Sequence, residues 1–188
     1  PDAYQVAKQA DTLMAYYELP FNEVQEVINR LGYKLPANFF TSNLRFYLDR
    51  TTHGSTLSRI VYSVLDEIDG NMDQSWQLFS TALFSDYYDI QGGTTAEGIH
   101  LGVMGATLQI ETKCYGGVRF DTDEVTINPH LPSTWNKISF KETYQGVNYN
   151  FVIGHHRIDV TADADTHVSV AKKAYSLTKN KMTTITYK

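Results

Sequence analysis

The chain has 188 residues and a mass of 21.3 kDa, room for one large domain or two small ones. Its 42% hydrophobic and 20% charged content is ordinary for a globular protein. A net charge of −5 and a pI near 5.6 argue against nucleic acid as the main partner. One cysteine, Cys114, excludes an internal disulfide framework and a multi-cysteine metal site. No apolar run approaches the ~20 residues of a membrane helix, and no basic start with an apolar core marks a signal peptide. The 13 Tyr, 9 Phe and 2 Trp suit either a large packed core or a carbohydrate cleft.

The pattern changes near Gly116-Gly117. Residues 1–116 carry 7 Lys/Arg against 14 Asp/Glu, and residues 117–188 carry 9 against 7. Before the change the apolar period is helical. Val6, Ala10, Leu13, Met14 and Tyr17 share the face of a first helix. Asn22 and Gln25 fit a capping box for a second, with Val24, Val27, Ile28 and Leu31 inward and Gly32 at its C-terminal turn. A third helix covers Asn38–Leu48. The fourth holds Leu57, Ile60, Val61, Val64, Leu65 and Ile68 and is closed by Gly70, leaving Asp66, Glu67 and Asp69 on a solvated face. A fifth spans about residues 73–84. The sixth, about 95–115, is apolar almost all round and is expected to be buried on every side, with Gly102 and Gly105 permitting close helix approach.

After Gly117 the apolar period is two, as in Val125/Ile127, Val147/Tyr149/Phe151/Ile153 and Ile158/Val160. Turns fall at Asp121-Thr122-Asp123, Gln145-Gly146 and Asp163-Ala164-Asp165. The expectation is an antiparallel β-sandwich domain. Tyr144 and Tyr149 are expected in core packing rather than on an exposed sugar platform. His155-His156 should point to opposite faces of a strand, so they cannot chelate one metal together. At least six helices followed by strands, opening at once with a helical pattern, suggest the end of something longer.

Three segments could carry chemistry. Thr52-His53-Gly54-Ser55-Thr56-Leu57-Ser58 precedes the fourth helix. Hydroxyls and free N–H groups at a helix start bind anions, and Ser55 or Thr56 could equally be a plain N-cap. Asp89-Ile-Gln-Gly-Gly-Thr-Thr-Ala-Glu-Gly-Ile-His100 leads into the sixth, with His100 in its first turn. Thr94 and Glu97 fit a capping box, and His100 is either a satisfied core histidine or an anion ligand. If the two helix starts converge, Ser55, Thr56 and His100 could jointly hold a phosphate. The third segment is Lys8-Gln9-Ala10-Asp11. Its Lys8 and Gln9 are either solvent-facing groups on a first helical turn or donors to sugar hydroxyls.

Taken together with Asn128-Pro-His-Leu-Pro132, Trp135 and Ile138-Ser-Phe140, the stretches Tyr4-Gln-Val-Ala-Lys-Gln-Ala-Asp-Thr-Leu-Met14, His53-Gly-Ser-Thr-Leu-Ser58 and Gln91-Gly-Gly-Thr-Thr-Ala-Glu-Gly-Ile-His100 resemble glycoside hydrolase family 65, the maltose/trehalose/kojibiose phosphorylases. The resemblance implies an α+β multidomain arrangement. Residues 1–116 would be the C-terminal helices of an (α/α)6 catalytic barrel, and residues 117–188 a C-terminal antiparallel β-sandwich. It implies an inverting α-glucosyl disaccharide phosphorylase that releases β-glucose 1-phosphate. Ser55, Thr56 and His100 would bind phosphate, and Lys8 and Gln9 would line the sugar subsite. The family's general acid, a Glu in a Gly-Pro-Asp-Glu-like motif, has no counterpart here. The chain by itself is therefore expected to hold no catalytic residue and to be inactive.

The same resemblance implies no cofactor and no metal, with inorganic phosphate as co-substrate. Its partners would be the remainder of the same enzyme, a disaccharide and phosphate, without nucleic acid or membrane, in a cytoplasmic and homodimeric full-length protein. Many family phosphorylases have an acidic residue where Gly54 stands, which keeps a trehalase-like hydrolase open as an alternative. A non-catalytic carbohydrate-binding or structural module is the other.

Overall fold

A computed structural model describes residues 6–120 and 124–188. Residues 4 and 5 of the first matching stretch and the expected turn at Asp121-Thr122-Asp123 lie outside them. The chain forms two compact units, residues 1–108 and 109–188. Among the described residues no helix is long and apolar enough to cross a membrane.

The first unit is helical: α1 (Met14–Glu18), α2 (Phe21–Arg30), α3 (Phe39–Leu48), α4 (Leu57–Ile68), α5 (Met72–Leu83) and α6 (Leu101–Gln109). The helical face expected from Val6 onward is not formed as one element. A 3-10 turn begins only at Asp11, and the segment before it is drawn into backbone pairing. Asn22 is not a cap either. Pro20 opens α2, its ring fixing φ at −54° and costing no donor. Gln25 instead donates to the Tyr16 hydroxyl at 2.8 Å.

Helix α4 is the centre of this unit. Ile60, Val61, Tyr62, Val64 and Leu65 are buried, and Val61, Tyr62 and Leu65 pack with Leu13, Tyr16, Phe40, Leu44 and Leu78. It ends as expected at Gly70, in the left-handed region at φ 81°, where Asn71 N–H reaches back to the Asp66 carbonyl. The solvated face expected of Asp66 and Glu67 is corrected: both side chains are buried. Arg45 Nη1 sits 2.8 Å from Asp66 Oδ1, and its Nη2 donates to Asp69 at 2.9 Å. Burial pushes the Asp66 carboxyl up to about 6, against the pull of Arg45.

The expected sixth helix is broken into three pieces. Thr94–Glu97 is a 3-10 turn, α6 follows, and Ile110–Tyr115 is π-helical. Gly98 at φ 138° makes the first break, a conformation that side chains resist. Val103, Ala106 and Ile110 are buried, whereas Leu101 is 78% and Leu108 63% exposed. The helix is thus apolar all round but not buried all round within these residues. Among the described residues a Cβ placed on Gly102 or Gly105 would meet nothing within 4 Å, so the close helix approach expected there is not made by them.

The second unit holds two four-stranded sheets. β1 (Val118–Arg119), β2 (Val125–Ile127), β6 (Thr166–Val170) and β7 (Lys173–Leu177) form one, in the order β1-β2-β6-β7. β3 (Lys137–Tyr144), β4 (Val147–Gly154), β5 (Arg157–Ala162) and β8 (Thr183–Thr186) form the other, in the order β3-β4-β5-β8. Pairing is antiparallel except for β2 against β6, which is parallel from Val125↔Val168 to Ile127↔Val170. Inward residues of both sheets, among them Val118, Ile127, Phe151, Ile153, Val160 and Val168, share one core.

Gln145-Gly146 is the two-residue hairpin turn expected, both residues at positive φ. Tyr149 is buried and stacks on Phe151, as expected. His155 and His156 lie in the turn between β4 and β5, not on a strand, and His155 Nε2 contacts the Trp135 carbonyl at 2.7 Å. Gly117, at φ 65°, cannot be replaced in place, because a Cβ would stand 1.9 Å from the Asn128 carbonyl oxygen.

Candidate functional site

Three loop segments of the helical unit carry the candidate residues, and backbone bonds tie the first two together. Ala7 N–H donates to the Arg50 carbonyl at 3.0 Å, Thr52 N–H to Ala7 at 2.9 Å and Gly54 N–H to Lys8 at 3.1 Å. Ala7 and Thr51 form a parallel bridge. Lys8 and Gln9 therefore stand in a bend beside residues 50–54, not on the first helical turn expected. A helical turn would have withdrawn the Ala7 and Lys8 carbonyls from this pairing. The Lys8 side chain is exposed, and Gln9 Nε2 donates to Asp11 at 2.8 Å.

Residues 53–56 lead into α4. His53 has a left-handed backbone, φ 51°, uncommon for a residue with a Cβ. Its ring packs edge-on against Tyr62 at 5.8 Å. Burial, and next the charge of Arg59, hold the His53 imidazole below its ordinary pKa. Ser55 Oγ accepts the Leu57 N–H at 3.3 Å, a long N-terminal bond that leaves the hydroxyl hydrogen available. Thr56 occupies the N-cap position but makes no side-chain cap bond, and it is only 2% exposed. The N-cap reading thus holds in part for Ser55 and not for Thr56.

The segment from Asp86 to His100 is the second wall. Gln91 Nε2 donates to the His53 carbonyl at 3.1 Å and so joins the two glycine-bearing loops. Gly92 and Gly93 both lie at positive φ, and Gly93 is the residue capping the 3-10 turn. The expected Thr94/Glu97 capping box is not formed. Asp89 Oδ1 accepts from Thr95 N–H at 3.2 Å instead, and Thr94 Oγ1 is buried without a partner among the described residues.

His100 stands just before α6, not in the first helical turn expected, because the helix begins only at Leu101, and Asp86 grips it twice. Asp86 Oδ2 accepts the His100 backbone N–H at 2.8 Å, and Oδ1 lies 2.5 Å from His100 Nδ1. The side chain of His100 is 35% exposed and that of Asp86 11%. The bond to His100 holds the Asp86 carboxyl below the usual carboxylate range. Asp86 is the residue that sequence reasoning missed. It lies 14 positions upstream, outside any helical spacing, beside Tyr87-Tyr88, so no local pattern marked it.

The structure thus brings Lys8 to Gly54, His53 to Gln91 and Asp86 to His100. Among the described residues no hydrogen bond joins Ser55 or Thr56 to His100. Their segments meet through Gln91 and His53. A hydroxyl at a helix start and an anchored imidazole, whose Nε2 makes no hydrogen bond among the described residues, are each groups that can meet a tetrahedral oxyanion.

Residues 1–109 match the central catalytic domain of glycosyl hydrolase family 65, and residues 118–177 match the C-terminal domain of the same family. The chain belongs to glycosyl hydrolase family 65.

It is similar to trehalose 6-phosphate phosphorylase of Lactococcus lactis, 44% identical over 165 residues, 88% of this chain and 22% of that protein. It is also similar to kojibiose phosphorylase of Caldanaerobacter subterraneus, 31% identical over 157 residues, 83% of this chain and 19% of that protein. A solved structure from the human microbiome, provisionally named a kojibiose phosphorylase, shares the fold at a TM-score of 0.76. Its identity is 22%, with 98% of this chain and 25% of that chain covered. The chain spans about a fifth of the length of these curated relatives.

Proposed function

We propose that this chain is the phosphate-binding, C-terminal part of an inverting α-glucosyl disaccharide phosphorylase. On this reading residues 1–116 complete an (α/α)6 barrel and residues 117–188 form a supporting β-sandwich. The observation that carries the reading is His100, clamped by Asp86 and with no hydrogen bond to Nε2 among the described residues, in a chain of this family. An inverting glycosidase needs one carboxylic acid and a second carboxylate to activate water. A phosphorylase replaces the second with phosphate, itself an anionic nucleophile, and needs a cradle for it.

Ser55 donates its hydroxyl hydrogen to a phosphate oxygen, Thr56 contributes a second hydroxyl and the helix start, and His100 faces the anion through Nε2. Lys8 and Gln9, paired to the same loop through Gly54, serve the sugar hydroxyls. The phosphate attacks the anomeric carbon from the face opposite the leaving sugar, so β-glucose 1-phosphate forms from an α-glucoside. The general acid that protonates the leaving oxygen belongs to the remainder of the enzyme, so this chain is inactive by itself. The substrate is a trehalose-, kojibiose- or maltose-type disaccharide or its phosphate. The complete enzyme is a cytoplasmic homodimer that uses no cofactor or metal.

The test is kinetic, in the complete enzyme. Hydrogen bonds to charged groups contribute about 1.5–3 kcal/mol. Ser55→Ala and His100→Ala should each raise the apparent phosphate constant roughly 10- to 150-fold, with the disaccharide constant little changed. Turnover that needs no phosphate, in wild type and variants alike, would establish a trehalase-like hydrolase and reduce the loops to helix caps.

A further inference from the structure

We propose that Asp86 is a positioning residue that fixes the tautomer of His100, and thereby makes the site select an oxyanion carrying a proton of its own. The proposal rests on the phosphate reading above and names the ligand class of that site more narrowly.

An ionised carboxylate only accepts hydrogen bonds. Asp86 Oδ2 takes the His100 backbone N–H, and Oδ1 faces Nδ1 at 2.5 Å. Because the hydrogen bond to His100 favours the anion, the hydrogen between Asp86 and the ring sits on Nδ1. In the neutral imidazole Nε2 then carries a lone pair and no hydrogen. Hydrogen phosphate fits that nitrogen, since its P–OH donates to Nε2 while its other oxygens accept from Ser55 and Thr56. Arsenate has the same property. Sulfate has the same shape but no hydrogen near neutral pH, so its oxygen meets the Nε2 lone pair with repulsion. Only the imidazolium would accept it.

The carboxylate is needed for this choice, and its amide would invert it. Three groups face residue 86: the backbone N–H of His100, which cannot change, the Thr95 side chain, whose hydroxyl can donate or accept, and the ring. In Asp86→Asn the amide oxygen takes the backbone N–H, and the NH2 group faces Nδ1. Nδ1 becomes the acceptor, and the hydrogen moves to Nε2. The variant then offers a donor to any tetrahedral anion.

The experiment uses the complete enzyme, inorganic phosphate as substrate and sulfate as competitor. The ratio of the sulfate inhibition constant to the phosphate constant should fall about tenfold or more in Asp86→Asn, one hydrogen bond to a charged group. A purely structural role would weaken both anions together and leave the ratio unchanged, which would overturn the proposal. A second measurement holds if the variant does not fold. In 15N-histidine-labelled wild type, the His100 signals, assigned by their loss in His100→Gln, should show a protonated Nδ1 and a bare Nε2. The opposite tautomer would also overturn it. Phosphate-independent turnover would instead sink the functional reading, while the 15N spectrum would still decide the role of Asp86.

Discussion

The two units bury their apolar residues to different degrees. In residues 109–188 the inward positions of both sheets meet in one core, and Ile153, Ile158, Val160 and Val168 have no exposed surface. In residues 1–108 the core around α4 is equally tight, but Leu31, Tyr33, Tyr87, Ile99 and Leu101 are more than half exposed. The candidate site belongs to the unit with the less complete burial. A β unit that satisfies itself can serve as a support, whereas the helical unit presents apolar surface of the kind that marks an interaction face.

The largest expected effect concerns association. Residues 109–188 produced separately should be monomeric and melt in one cooperative transition, and residues 1–108 should self-associate at micromolar concentration. Light scattering with thermal melts decides it, and a monomeric, sharply melting helical unit would remove the contrast. Substitution extends the comparison to single side chains. Phe151→Ala empties a fully buried position and should cost about 3–5 kcal/mol in a denaturant titration. Leu101→Ala, on the exposed face of α6, should stay within about 0.5 kcal/mol. Equal losses would show that α6 is covered.

Asp66 gives an intermediate effect with a defined sign. Its folded pKa of about 6 lies above the ordinary carboxylate value near 4, so the folded state keeps a proton that the unfolded state has released. Stability should therefore fall as pH rises from about 4 to 6, by roughly 2–3 kcal/mol at the displacement involved. Asp66→Asn should flatten that dependence in melts across the range, and an unchanged slope would place its origin elsewhere. A smaller effect is expected at Gly54, where a Cβ would lie 3.3 Å from Lys8 Cγ, tight but against a flexible chain. Gly54→Ala should cost under about 1 kcal/mol and perturb sugar binding before anion binding.

The β unit was the more legible, because a period of two with two-residue turns dictates strands almost residue by residue. Its parallel β2–β6 pair was not, since pairing direction depends on what the intervening chain does in space. Helices α3, α4 and α5 fell where the apolar period put them. The Lys8-Gln9 segment did not, because its carbonyls are claimed by residues 44 to 46 positions later, a non-local preference that no local period records. The same reasoning hid Asp66 and Glu67, charged in sequence yet buried by Arg45 and by their place on α4. Within the site, Ser55, Thr56 and His100 were visible as helix-start residues. Asp86 was not, since its meaning comes entirely from the imidazole it holds.

Position 54 also bears on how the chain varies among its relatives. Gly54 hands its N–H to the Lys8 carbonyl, and any side chain it acquired would press on the Lys8 methylenes. Residues in contact do not change independently, and their effects fail to add. An acidic residue at 54 would face the Lys8 stem and, beyond it, its ammonium, so its consequence depends on whether a lysine stands at 8. Residues 54 and 8 should therefore be exchanged together, and the double exchange should depart from the sum of the single ones.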